Sequence, residues 1–322
     1  MSTRDFLIDT DTASDDAVAL IMALRAPGVQ VRAITAVAGN VPVAQAARNA
    51  LYVAELCGSA VPVYAGVDQP LLRPHVDASW FHGRDGLGDH GYPAPRRAIE
   101  STHAVDAIIA TVRAHPSLTM VTLGPLTNVA LAVARAPEIA AQVSRCVVMG
   151  GAPCCEGNVT PAAEYNIWCD PEAARRVFRS GMPIDLVGWH LCRFNAALSV
   201  ADIAHVRSLG TPRADFAIEC NSTAMEAYRR QTGDVGISLP DPTAMAIALD
   251  PTICTSASEH YLDVEVASEL TRGMTVVDRL GVANDARNRE VWRPVVERGC
   301  KAKICWTLDV ARFKQAVYRA LH

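Results

Sequence analysis

The chain has 322 residues, half of them hydrophobic, which supplies a large apolar core and excludes a disordered or fibrous chain. Its formal net charge of −4, with no run of lysines or arginines, excludes nucleic acid as the main partner and leaves a small polar molecule. No uncharged span of roughly 18 residues occurs, so no membrane segment is predicted.

In chain order, short apolar runs alternate with helix-period patterns. Residues 6–9 read as a first strand and 15–24 as its helix; 31–37 and 43–56 form a second such pair. A strand at 61–64 precedes a polar loop rich in Gly, His and Asp that runs through Pro95. The pattern resumes with a helix at 104–114, a strand at 119–123, a helix at 126–135, a strand at 145–149, a helix at 171–179 and a strand at 184–187. Residues 199–249 are mainly helical, strand character returns at 261–266 and 275–277, and a strand at 302–307 precedes a last helix at 310–321. This is the signature of an α/β fold, a mostly parallel central sheet flanked by helices in a Rossmann-like open arrangement, with helical insertions. No repeat, linker or charge block divides the chain, so residues 1–322 read as a single domain.

The ten cysteines show no Cys-x-x-Cys spacing, and the N-terminus (Met1-Ser2-Thr3-Arg4-Asp5) carries no apolar targeting stretch. They read as reduced thiols of a cytoplasmic protein. The adjacent Cys154 and Cys155 have no His or Cys partner at ligand spacing, and the nine histidines offer no zinc pattern.

Chemistry concentrates at predicted strand ends. Asp9, Asp11, Asp15 and Asp16 fall within eight residues between the first strand and its helix. Carboxylates gathered at a core edge repel one another and resist desolvation, so they imply a neutralising partner, for which a hard divalent cation is the natural candidate. Gly39-Asn40 follows the second strand, Leu123-Gly-Pro-Leu-Thr-Asn128 the fourth and Met149-Gly-Gly151 the fifth. Asn158-Val-Thr-Pro-Ala-Ala-Glu164-Tyr-Asn166 comes next, and Asp170-Pro171 and Asp241-Pro242 each open a helix. Ligands of open α/β sheets bind beyond the carboxyl ends of the strands, where these clusters stand. Each has a local reading as well: Asp15 as a first-turn helix acid, Asp241 as a helix cap before proline, Asn40 as a left-handed turn residue, Asn128 as a tie across its turn.

Taken together, the N-terminal aspartate cluster, the LGPLTN turn, the run from Asn158 to Asn166 and the late Asp-Pro resemble the inosine-uridine-type nucleoside hydrolases, calcium-dependent N-ribohydrolases, over most of the chain. The resemblance implies hydrolysis of ribonucleosides to ribose and free base through an oxocarbenium-like sugar. It implies Ca2+ held by Asp11, Asp16, Asp241 and the Leu123 carbonyl, with Asp11 the general base toward a calcium-bound water. Asp15, Asn40, Asn158, Glu164 and Asn166 would meet the ribose hydroxyls, so ribosides should be preferred to 2′-deoxyribosides. It also suggests a homodimer or homotetramer in nucleoside salvage.

The chain departs from the family on the leaving-group side. Many members carry a histidine immediately before the late calcium aspartate, whereas Pro240 stands here and has no proton to give. His82, within Trp80-Phe81-His82-Gly-Arg-Asp85-Gly, is the ionisable group expected nearest the base, and Trp80 or Trp189 could stack on it. Tyr228, His190 and Arg193 are further base-side candidates. Two other classes stay open at this level: a haloacid-dehalogenase-like phosphatase using Asp9-x-Asp11, and a ribose-binding protein without turnover.

Overall fold

The computed structural model describes residues 3–233, 235–297 and 300–322, with the side chains of Phe194, Gln231 and Thr232 left aside. Met1 and Ser2, part of the stretch read above for targeting, lie outside the described residues, as does Asp234 within the helical region.

Nine strands form the main sheet: β1 Arg4–Thr10, β2 Val29–Ala36, β3 Val63–Ala65, β4 Thr119–Thr122, β5 Arg145–Met149, β6 Ile184–Val187 and, after the separate β7 and β8, β9 Cys254–Val264, β10 Thr275–Val277 and β11 Lys301–Leu308. Their spatial order is β10-β9-β11-β6-β5-β4-β1-β2-β3. Pairings from β3 across to β6 and on to β11 are parallel, and β9 and β10 close one edge antiparallel. Parallel strands covered on both faces read as continuous apolar runs, and β1 is such a strand. Its alternation divides the core: Phe6 and Ile8 pack with Leu20, Ile21, Leu51 and Phe313 on one face, and Leu7 packs with Ile108, Val129 and Val177 on the other.

The strand order reverses between β1 and β4, and that reversal opens a crevice beyond their carboxyl ends. The helix Ser14–Arg25 leaves β1 at this point and packs against the helix Pro240–Leu249, so segments far apart in the sequence meet there.

Most predicted elements are present with shifted ends, and three points differ. Strand β9 begins at Cys254 rather than at 261, because its first half is exposed and polar and is specified by antiparallel pairing with β11 rather than by burial. The mainly helical region carries a two-stranded sheet of β7 Ala197–Ser199 and β8 Gly236–Ser238, runs too short to show a period. Asp241 is not a cap: the helix starts at Pro240 with Leu239 at its N-cap, which places Asp241 in the first turn.

Candidate active site

The carboxyl end of β1 carries Thr10 and Asp11 into the crevice, and the following helix presents Asp15 and Asp16 from its first turn; all four are buried. Asp16 is fixed from two sides: its Oδ1 accepts from Thr10 Oγ1 at 2.6 Å and its Oδ2 from the Ala13 amide at 2.9 Å, while Asn40 Nδ2 lies 3.4 Å from Oδ2. The Ala13 contact is the reach of an N3 acid back to its N-cap amide. Asp11 Oδ2 accepts from the Asn40 amide at 2.6 Å, and its Oδ1 is buried with no partner. This carboxylate sits between two glycine backbones. A Cβ on Gly39 would fall 2.0 Å from Oδ2, and one on Gly124 would fall 2.6 Å from Oδ1.

Asp241 arrives from the far end of the chain. Oxygens of Asp15, Asp16 and Asp241 all lie within 4.8 Å of one another. Asp11 touches Asp16 at the edge of this group. Burial, and then mutual repulsion, push the Asp11 and Asp241 carboxyls well above the usual carboxylate range; the same causes bring Asp15 to about 7. No lysine or arginine is among the buried residues described.

These residues fit a hard divalent cation. Every donor is oxygen, one buried carboxylate oxygen has no partner, and three carboxylates converge within the span of two metal–oxygen bonds of about 2.4 Å. The structure sets Asp15 both beside Asp16 and Asp241 and in the cavity lining. The Leu123 carbonyl, next to the crevice, accepts from Asn166 Nδ2 at 2.8 Å, which uses one of its two lone pairs.

Beside this carboxylate group opens a cavity. Asp15, Asn40, Leu123, Asn158, Glu164, Asn166 and Asp241 line it, as do Trp80, His82, Trp189, Tyr228 and Pro240. The sequence therefore named most of the wall. Glu164 also has a local task, since one carboxylate oxygen accepts the Asn166 amide and the other the Gly151 and Ile167 amides, capping the helix Tyr165–Cys169. Asn158 Oδ1 accepts from the Tyr165 amide. Burial holds His82 neutral, with its pKa pulled down to about 3. Its Nδ1 lies 2.8 Å from Ser14 Oγ and 3.9 Å from Asp15 Oδ1. Trp80 stands at the mouth, 65% exposed.

Several candidates fall outside the cavity. Asp9 is wholly buried, and its Oδ1 accepts from Thr35 Oγ1 and Asn128 Nδ2, so it cannot serve as a phosphatase nucleophile. Asn128 is the tie its local reading implied, with Nδ2 also donating to the Ala36 carbonyl and Oδ1 accepting from the Val67 amide. Asn40, which does line the cavity, has no left-handed backbone. His190 bonds the Cys305 carbonyl and packs on Trp306, and Arg193 pairs with Glu156, both away from the cavity lining. The cavity also holds residues the sequence did not single out: Ser14, Phe81, Met149, Tyr165, Asn221 and Ser238. Ser14 and Phe81 adjoin recognised residues. Asn221 sits in the turn between the helices Pro212–Glu219 and Ser222–Thr232, with no linear cue.

Comparison with known proteins gives a consistent result. A sequence model of the family described as inosine-uridine preferring nucleoside hydrolase matches residues 6–315. The pyrimidine-specific ribonucleoside hydrolase RihA of Salmonella paratyphi A is 38% identical over 296 residues, covering 91% of this chain and 94% of that protein. Among solved structures, a plant nucleoside hydrolase superposes with a TM-score of 0.91 at 30% identity, covering 99% of this chain and 98% of its own. A purine-preferring ribonucleoside hydrolase from Gardnerella vaginalis gives 0.88 at 31% identity with the same coverage.

Proposed function

This chain belongs to the inosine-uridine preferring nucleoside hydrolase family and is a ribonucleoside hydrolase acting on N-glycosyl bonds, and from that premise we propose that its cavity performs the hydrolysis with Asp11 as the general base. The observation that carries the reading is the convergence of Asp15, Asp16 and Asp241, with Asp11 against Asp16, beside a cavity that Asp15 and Asp241 line, with no buried lysine or arginine described to neutralise them.

Asp11, Asp16, Asp241 and the Leu123 carbonyl, with Asp15 alongside, would hold a calcium ion, which when bound would neutralise this charge and lower the pKa of a neighbouring water. Asp11 takes the proton of the attacking water as the oxygen bonds to the anomeric carbon. The partnerless Oδ1 is the atom available for this, because Oδ2 is occupied by the Asn40 amide. The C–N bond breaks with its electron pair going to the base, and the carboxylate floor stabilises the positive charge that develops on the sugar. Asp15, Asn40, Asn158, Glu164 and Asn166 position the ribose by its hydroxyls.

Pro240 lines the cavity with no proton to offer. His82 helps the base to leave as a neutral donor. In this role Ser14 Oγ donates to Nδ1, 2.8 Å away, and the ring proton sits on Nε2, which has no partner among the described residues and serves the base. Trp80, Trp189 and Tyr228 supply aromatic faces around the base.

In this reading residues 1–322 act as one α/β domain in cytoplasmic nucleoside salvage, as a homodimer or homotetramer. Among the described residues no helix is long and apolar enough to cross a membrane. The test is ribose release from a panel of ribosides with and without chelator. Turnover should vanish on chelation and return with calcium; chelator-insensitive turnover overturns the metal-dependent reading.

A further inference from the structure

Asn221 is a polar residue of the cavity that the mechanism above leaves unused. It is fully buried. Its Nδ2 donates to the Ser14 carbonyl at 3.2 Å and to the Ala217 carbonyl at 2.9 Å. Both amide protons are spent on carbonyl oxygens, which settles the orientation of the group, because a flipped amide would set Oδ1 against two other acceptors. Oδ1 is consequently the acceptor end, and it is buried with no partner. A buried unsatisfied acceptor costs about 1–3 kcal/mol, so a native fold that retains one at a cavity wall invites a ligand donor.

Asn221 stands at the His82 end of the cavity, the end that the proposed function gives to the base. Its Nδ2 holds the backbone of Ser14, whose hydroxyl holds His82, so Asn221 and His82 are braced through one residue. A second polar atom without a partner, Ser238 Oγ, lines the same cavity from β8. Ser238 can donate or accept and adapts to whatever the base presents; Asn221 can only accept.

We propose that Asn221 Oδ1 reads an N–H group of the leaving base, so that the enzyme selects ribosides whose base offers that donor and rejects those in which the nitrogen is alkylated. The inference rests on the hydrolase reading and deepens it. An acceptor facing a base N–H binds the ground state at least as well as the transition state, since electron density flows into the base as the C–N bond breaks and weakens its N–H as a donor. The contribution therefore falls on KM rather than kcat.

The experiment compares uridine with 3-methyluridine and inosine with 1-methylinosine on the wild-type enzyme and on Asn221→Leu, a change of similar size. In at least one pair the wild type should prefer the parent by about ten- to hundredfold in kcat/KM, carried mainly by KM. In the leucine variant that preference should collapse to within about threefold. A methyl group that merely clashed with the wall would be disfavoured equally in both enzymes, so a ratio that survives in the variant overturns the inference. Equal handling of both pairs by the wild type overturns it without recourse to the variant, and this arm decides the matter if the variant does not fold. Absence of ribose release from every riboside, parent and methylated alike, counts against the hydrolase reading itself.

Discussion

The seat of Asp11 between two glycines gives a quantitative test of how the base is positioned. In Gly39→Ala the new Cβ would lie 2.0 Å from Asp11 Oδ2 and 2.7 Å from Pro125 Cδ, whereas real Cβ atoms essentially never come inside 3.0 Å. The carboxylate must give way by about 1 Å (3.0 minus 2.0), and its other flank is closed by Gly124, where a Cβ would stand only 2.6 Å from Oδ1. A displacement of about 1 Å in a reacting group costs on the order of a hundredfold in rate, and overpacking of this kind costs about 1–3 kcal/mol of stability. The assay is kcat/KM for ribose release, read beside the thermal midpoint. The expected variant is folded, modestly destabilised and about a hundredfold slower; a folded variant with kcat/KM within threefold of wild type refutes the claim that this seat places the general base.

Four further outcomes are expected. Asp11→Asn abolishes ribose release while circular dichroism and thermal midpoint report an intact fold, and near-wild-type turnover would remove Asp11 as the base. His82→Ala lowers kcat by about 10²-fold or more if the imidazole assists departure of the base, and an unchanged kcat assigns that task elsewhere. Ribosides should exceed their 2′-deoxy counterparts by several orders of magnitude in kcat/KM, because the buried groups that meet the hydroxyls are otherwise left unpaired; parity would take Asp15, Asn40 and Asn166 off the ribose. Away from the site, the Arg179 and Arg175 guanidiniums, outweighing burial, hold the Asp263 carboxyl below its usual range. Asp263→Asn should cost about 1–3 kcal/mol at pH 7, discounted for the partial exposure of the arginines. A depressed carboxyl contributes fully above its unfolded value of about 3.9 and loses that contribution as the pH falls through its folded value, so the gap between wild type and variant in urea should shrink toward pH 3.

Much of this site could be read from the sequence because α/β topology ties function to strand ends. Asp11, Asn40 and Leu123 each follow a short apolar run, and the turn chemistry after each run marks where the chain enters the crevice. The strand order across β1 and β4 then brings these separated positions together. Helical stretches hide their contribution, because a polar residue on a helix is by default solvated. Nothing in the spacing of Asn221 distinguished it from a surface residue, and only its two carbonyl partners and its orphan oxygen reveal what it faces. The same ambiguity misplaced His190 and Arg193, which lie two and five residues beyond Gly188, just after β6, yet turn toward Cys305 and Glu156. The exposed first half of β9 was illegible for the complementary reason: it pairs without burying an apolar face, so no period records it. The aspartates were the clearest signal because buried, unneutralised carboxylates have so few other uses.

The central claim is that remote carboxylates converge to hold one alkaline-earth ion, and calorimetric titration of chelator-stripped protein with calcium tests it most directly. One ion should bind per chain in the wild type, and the site should be lost in both Asp16→Asn and Asp241→Asn, two variants at opposite ends of the sequence. Failure of the wild type to bind calcium, or unchanged binding in either variant, would contradict the account.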